Sequence, residues 1–255
     1  MKNRIISAAL LLACIFTLFG AYPASAETAA QDGFEKAVLD YINPDFKVYS
    51  DGEYASTAGF IADIYGLTGI AREEENTDEI TYFKAAKACL EVLNYGVICD
   101  KNNDAGCLSF AAGLGIFDGV PVRGEEKVTA ADAAKIYYNT LNAALAEPVS
   151  YSGDYRKTDK TILSEYYSIY FDEDVVNAND ATALTSADAR ARDGSVRIGT
   201  RECISSAPDS LLGYNVYYCY QEKDGDNILV AMKKKGNRET ELELYGVDRV
   251  ADFKL

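Results

Sequence analysis

Two stretches of this chain are variants of one pattern: EITYFKAAKACLEVLNYG from Glu79 to Gly96, and KVTAADAAKIYYNTLNAA from Lys127 to Ala144. With Thr81 set against Thr129, Ala85 meets Ala133, Ala86 meets Ala134, Lys87 meets Lys135, Leu93 meets Leu141 and Asn94 meets Asn142. Upstream the register moves by two residues, so that Phe60 meets Phe110, Ala62 meets Ala112 and Gly69 meets Gly119. A period near fifty residues with two elements per unit is the signature of a repeat architecture, in which each unit buries its apolar face against its neighbour.

Each unit reads as helix, loop, helix. Ala85, Ala88, Cys89, Val92 and Leu93 fall on one helical stripe, and Ala133, Ile136, Tyr137, Thr140 and Leu141 fall on the same stripe one unit later. The threonine that opens each helix has a physical role, since its hydroxyl accepts from an unpaired backbone N–H of the first turn. Small alanines let neighbouring helices approach closely. A partial first unit is expected over residues 33–50, where Phe34, Val38 and Ile42 form a short helix closed by Asn43-Pro44. The full units are expected at 51–96 and 97–147.

The pattern GLGIFDG…KVTAADAAKIYYNTLNAAL, with GLTGI…EITYFKAAKACLEVLNYG before it, resembles the S-layer homology repeats of Gram-positive surface proteins. YSDGEY at Tyr49 to Tyr54 looks like a worn form of that family's Phe-Ser-Asp-Val opening, with Tyr54 near its usual tryptophan. The likeness covers Gly33 to Leu145. It implies a stacked helical-hairpin module that holds the acidic, pyruvylated polysaccharide of the cell wall in grooves between units. The family's Thr-Arg-Ala-Glu motif is replaced by Thr81-Tyr82-Phe83-Lys84 and by Thr129-Ala130-Ala131-Asp132. The arginine that grips the anionic sugar is missing from both. Thr81, Lys84, Thr129 and Asp132 stand where the resemblance puts the ligand, and Arg123 and Lys127 are the expected replacement cations.

After Glu147-Pro148 the composition changes, and residues 148–255 are expected to form a small β-rich sheet or barrel with one helix. Thr161 to Tyr170 suits that helix; Ser195–Cys203, Tyr214–Tyr220, Ile228–Met232 and Glu239–Leu244 read as strands. Asp224-Gly225 and Gly236-Asn237 are expected as hairpin turns. This half is similar to a β-rich region that follows S-layer homology repeats in large exported bacterial proteins, a likeness that brings no chemistry with it. The expected fold class is therefore α+β.

Residues 1–26 read as a secretory signal peptide: Lys2 and Arg4, an apolar run from Ile5 to Phe19, then Ala24-Ser25-Ala26. A retained membrane helix and a lipoprotein anchored at Cys14 are the alternatives. The chain carries 25 basic and 40 acidic residues, a net charge of −15, and loss of Lys2 and Arg4 deepens it. Such a field repels polyanions, so nucleic-acid binding is not expected. No later apolar run is long enough to span a bilayer. Five cysteines follow the leader, and export permits disulfides. Cys99 with Cys107 and Cys203 with Cys219 are the candidate pairs, while Cys89 lies on an apolar helical face.

The sequence has no histidine, which removes histidine-based triads, dyads and metal sites together. GLGIFDG places its third glycine one residue too late for a dinucleotide fingerprint and reads as a helix end plus turn. CDKNNDAGC sets Asp100, Asn102 and Asp104 at the first three ligand positions of a calcium loop, but Ala111 stands where the bidentate glutamate belongs. It reads as a solvated turn, with a weak calcium site as the alternative. Lys233-Lys234-Lys235 reads as protection of an exposed sheet edge, with contact to an anionic wall polymer as the alternative. No catalytic residue and no cofactor is expected. The leading expectation is an exported, non-enzymatic cell-surface protein bound to wall polysaccharide. A protein–protein docking module that has lost its glycan grip, self-association included, is the second; a secreted hydrolase using acidic residues is the third.

Overall fold

The structure, a computed structural model, describes residues 33–46, 53–149, 154–185, 189–205 and 211–235. The expected leader, residues 49–52 of the YSDGEY stretch, the Gly236-Asn237 turn and the Glu239–Leu244 strand lie outside them. The fold is mixed α+β: seven helices, a two-stranded hairpin and a five-stranded sheet among the described residues. The helices are α1 (Phe34–Ile42), α2 (Thr57–Gly66), α3 (Tyr82–Val92), α4 (Gly96–Lys101), α5 (Asp104–Gly113), α6 (Ala130–Asn142) and α7 (Ile162–Tyr167).

Three of these helices begin alike. Ser56, Thr81 and Thr129 are the N-caps of α2, α3 and α6, all with extended backbone, and each side chain accepts from the N–H three residues on. The residue before each cap joins a closed ring of backbone hydrogen bonds. Ala55 N–H donates to Val128 C=O (2.9 Å), Val128 N–H to Ile80 C=O (2.9 Å), and Ile80 N–H to Ala55 C=O (3.0 Å). Ala55, Ile80 and Val128 are fully buried at this hub, where burying each aliphatic side chain of valine or isoleucine size is worth about 1.5–3 kcal/mol. One-residue bridges lace the same segments together: Tyr54 with Thr129, Ser56 with Glu79, and Thr81 with Lys127.

The hub corrects the repeat register. Phe60 was expected to match Phe110 of α5, but α2 shares its start with α3 and α6, so Ser56 is the counterpart of Thr81 and Thr129. The helix ends agree. Asn94 after α3 and Gly69 after α2 both take positive φ (68° and 72°). In each case the next N–H reaches back five residues, Tyr95 to Leu90 C=O and Ile70 to Tyr65 C=O, the hydrogen bonding of a Schellman stop. Gly115-Ile116 closes α5 in the same way.

The second half is a closed barrel in the order β3-β4-β5-β7-β6, formed by β3 (Ile169–Asn179), β4 (Ser195–Ile198), β5 (Arg201–Ile204), β6 (Asn215–Lys223) and β7 (Asp226–Lys234). All neighbours are antiparallel except β5 and β7. The expected single helix over Thr161–Tyr170 is shorter. Thr161 caps α7, and Ser168 at φ 53° ends it so that Ile169 begins a strand. Ser195–Cys203 is likewise two strands, folded back between Ile198 and Arg201. The expected Asp224-Gly225 turn is present, with positive φ at both residues. Beyond Ile228, β7 pairs with β6 alone among the described residues, but the lysine cluster does not stand free along that side. Lys233 instead lies over the Phe34 and Tyr217 rings, Lys234 over Tyr214, and Lys235 pairs with Glu173.

Between the two parts, β1 (Ala144–Pro148) and β2 (Tyr155–Thr161) form the hairpin; Glu147-Pro148, the expected boundary, closes β1. One apolar cluster runs from the helices through α1 onto the outer faces of β3, β6 and β7, joining Phe34 to Ile169, Cys219 and Ala231. A second fills the barrel with Val176, Val196, Cys203, Val216, Tyr218 and Met232. Alternation along β6 sends Cys219 to the first cluster and Tyr218 to the second.

Candidate functional site

The expected ligand-binding residues gather around the hub, so the first question is which of its polar groups are free to meet a ligand. The N-terminus of a helix leaves backbone N–H groups unpaired and attracts anions. Here those groups are used internally, by one rule repeated around the ring. The first helical N–H donates to the carbonyl three residues before the neighbouring cap: Thr57 to Asp78 (2.7 Å), Tyr82 to Glu126 (3.2 Å) and Ala130 to Glu53 (3.0 Å). The second donates to the carbonyl five residues before that cap, from Ala58 to Asn76 (2.9 Å) and from Phe83 to Gly124 (3.2 Å). The third is taken by the cap: Gly59 by Ser56 (3.1 Å), Lys84 by Thr81 (3.5 Å) and Asp132 by Thr129 (3.1 Å).

The side chains follow suit. Asp132 accepts from the Thr129 hydroxyl (2.8 Å) and from the phenol of the buried Tyr82 (2.9 Å), tying α6 to α3. Burial, and then this bond to the Asp132 carboxylate, raise the Tyr82 phenol above the ordinary tyrosine range, so it stays a donor. Lys127 is paired with Glu79 across the Thr81–Lys127 bridge, and Arg123 with Glu126 at 3.2 Å. The hydrogen bond to Glu79 holds the Lys127 ammonium protonated beyond its usual range. Thr81, Thr129, Lys127 and Asp132 are therefore brought together, and all four serve the hub. Arg123 lies close enough to Tyr82 to act on its phenol. Lys84 alone among the six is an exposed group with no ion pair among the described residues.

The calcium alternative loses its loop. Asp100 falls within α4, Asn103 caps α5 by accepting from Gly106 N–H, Asn102 donates to Ile98 C=O, and Asp104 pairs with Lys87 at 3.0 Å. No group of three or more Cys, Asp or Glu side chains is placed to hold a metal among the described residues. All five described cysteines are free thiols. Cys99 and Cys107 lie within hydrogen-bonding reach of each other, on α4 and α5. Cys203 and Cys219 do not meet: one belongs to the barrel interior and the other to the face that covers the helices, which corrects that candidate pair. Burial pushes the Cys203 thiol up to about 12 and raises Cys219 further.

Two open depressions exist elsewhere. One, of about 450 Å³ at the barrel's end, is lined by Arg192, Arg201, Glu202 and Asp226. Arg192 pairs there with Glu202 (2.6 Å) and Asp226 (3.1 Å), and Arg201 with the neighbouring Asp172 (2.6 Å), while Glu222 of the lining has no ion pair among the described residues. The other, of about 430 Å³, is apolar and runs along the end of α2 past Ala62, Gly66, Gly69 and Ile70. The third cap, Ser56, and the donor Tyr82 were not singled out in the sequence. The signal for the cap was an apolar residue followed by Ser or Thr, in Ala55-Ser56 as in Ile80-Thr81 and Val128-Thr129. No helix of the described residues is long and apolar enough to cross a membrane. No protein-family model, curated protein or solved structure matches the chain.

Proposed function

We propose that this chain is a non-catalytic, exported surface protein whose helical part serves as a docking scaffold for other proteins, a relative in form of S-layer homology repeats that has lost their grip on wall polysaccharide. One observation carries the reading: the groups such a glycan needs are consumed within the hub. All three first-turn N–H groups of α2 and of α3, and the first and third of α6, bond to backbone or caps, and Lys127 and Arg123 face Glu79 and Glu126. An acidic sugar must break these pairs before it gains its own, and the chain's net charge of −15 adds a repulsive field. The absence of histidine, the burial of four of the five described thiols and the engagement of Arg192 and Arg201 in ion pairs at the barrel's end support a non-catalytic role.

The test is sedimentation of the mature protein with purified cell-wall sacculi. Retention no greater than that of an acidic control protein of matched size is the expected result. Specific retention abolished by Lys84→Ala would overturn it in favour of wall anchoring. That second reading has one observation behind it, the exposed Lys84 at the first turn of α3.

A further inference from the structure

The three capped helices differ in what lies against them. On α3 packs α5, and on α6 packs α1. Both contacts carry the same ion pair, from a lysine six residues past the cap to an acid in the first turn of the covering helix. These are Lys87 with Asp104 at 3.0 Å, and Lys135 with Glu35. The matching position on α2 is Ala62, and the chain from Leu67 to Ile80 forms no helix to lie there. Among the described residues no helix covers that flank, and the helix ends show the same difference. Tyr95, just past the Asn94 stop, is fully buried beneath Phe110 of α5 (5.3 Å) and Tyr155 of β2 (5.1 Å). Its counterpart past the Gly69 stop, Ile70, is 52% exposed and borders the apolar depression of about 430 Å³.

We infer that this depression is a docking groove for an amphipathic helix of another protein, one with a small apolar face flanked by lysine or arginine. The inference deepens the scaffold reading and rests on it. A helix is the occupant because the two equivalent flanks each take one. The apolar face is required by Ala62, Ile70 and the uncovered backbone at Gly66, where an added Cβ would meet nothing within 4 Å. The basic flank is required by charge. Glu73, Glu74 and Glu75 are all exposed beside the groove, and Arg72 within it is already paired with Glu91 at 3.0 Å and stacked on Tyr65 at 4.5 Å. A second copy of this chain would bring the same acidic run and the same net charge against it, which disfavours self-pairing.

The probe is a synthetic peptide with the sequence of residues 103–116, the helix that fills the equivalent flank of α3, carrying Cys107→Ala and Asp104→Lys. The expected result is saturable binding by fluorescence anisotropy, weakened roughly tenfold or more by Gly66→Arg and reduced at high salt. Gly113→Arg is the matched control, because a Cβ there also meets nothing within 4 Å; it should leave binding intact. No saturable binding, or equal loss in both variants, overturns the groove while leaving the sacculus result untouched. A dimer abolished by Gly66→Arg, or saturable capture of a peptide of residues 236–255, gives the groove a different occupant and overturns the inference.

Discussion

Thr81 and Thr129 hold the same place in the fold with unequal strength. Both accept from the third helical N–H, at 3.5 Å and 3.1 Å, but only Thr129 also donates to a carboxylate, that of Asp132. Removing a threonine cap costs about 0.5–2 kcal/mol. Urea unfolding should therefore place Thr129→Ala below Thr81→Ala in stability, the first near the top of that range and the second near its foot. Equal losses would mean that the Asp132 contact is idle. The caps were legible in the sequence because a hydroxyl before an apolar-periodic run has one local use. The partner of Asp132 was not, because Tyr82 reaches it from another helix, and no spacing in the chain encodes that distance.

The same division holds among the elements. Helices α3 and α6 were legible from their apolar stripes, as were β6 and β7, whose β-branched and aromatic runs flank a turn with both φ angles positive. The longest strand, β3, was missed. Its burial does not alternate through Asp172, Glu173 and Asp174, a stretch that pairs with β6 alone and whose acids meet Arg201, Lys235 or solvent. Those pairs set how the barrel responds to acid. Hydrogen bonds from Arg201 hold the Asp172 carboxyl below its ordinary value, and hydrogen bonds from Arg197 and Arg192 do the same for Glu202. A depressed carboxylate pKa contributes stability above the unfolded value, which is lost as pH falls through the folded one. The loss should begin as pH drops past about 4.5 for Glu202 and 3.8 for Asp172 and be complete below their folded values. Glu202→Gln should flatten the Glu202 part of that fall in unfolding midpoints measured from about pH 7 to about pH 3; an unchanged slope would contradict the pairing.

Across the whole molecule, the feature that organises the helical half is the ring joining Ala55, Ile80 and Val128. It makes three helices separated in the chain into one unit, with the first N–H of each bonded to the loop before the next cap. The caps Thr81 and Thr129 were legible, but the third member of the ring was not: Ser56 differs from them in residue type, and alignment set Phe60 of α2 against Phe110 of α5, a helix that does not start at the ring. Native-state hydrogen exchange of the amides of Ala55, Ile80 and Val128 tests the ring most directly, because each of these N–H groups is bonded only through the next member. A closed ring predicts that all three exchange together, with protection equal to that of global unfolding. Exchange of the Ala55 amide at a loop-like rate, while Ile80 and Val128 stay protected, would contradict it.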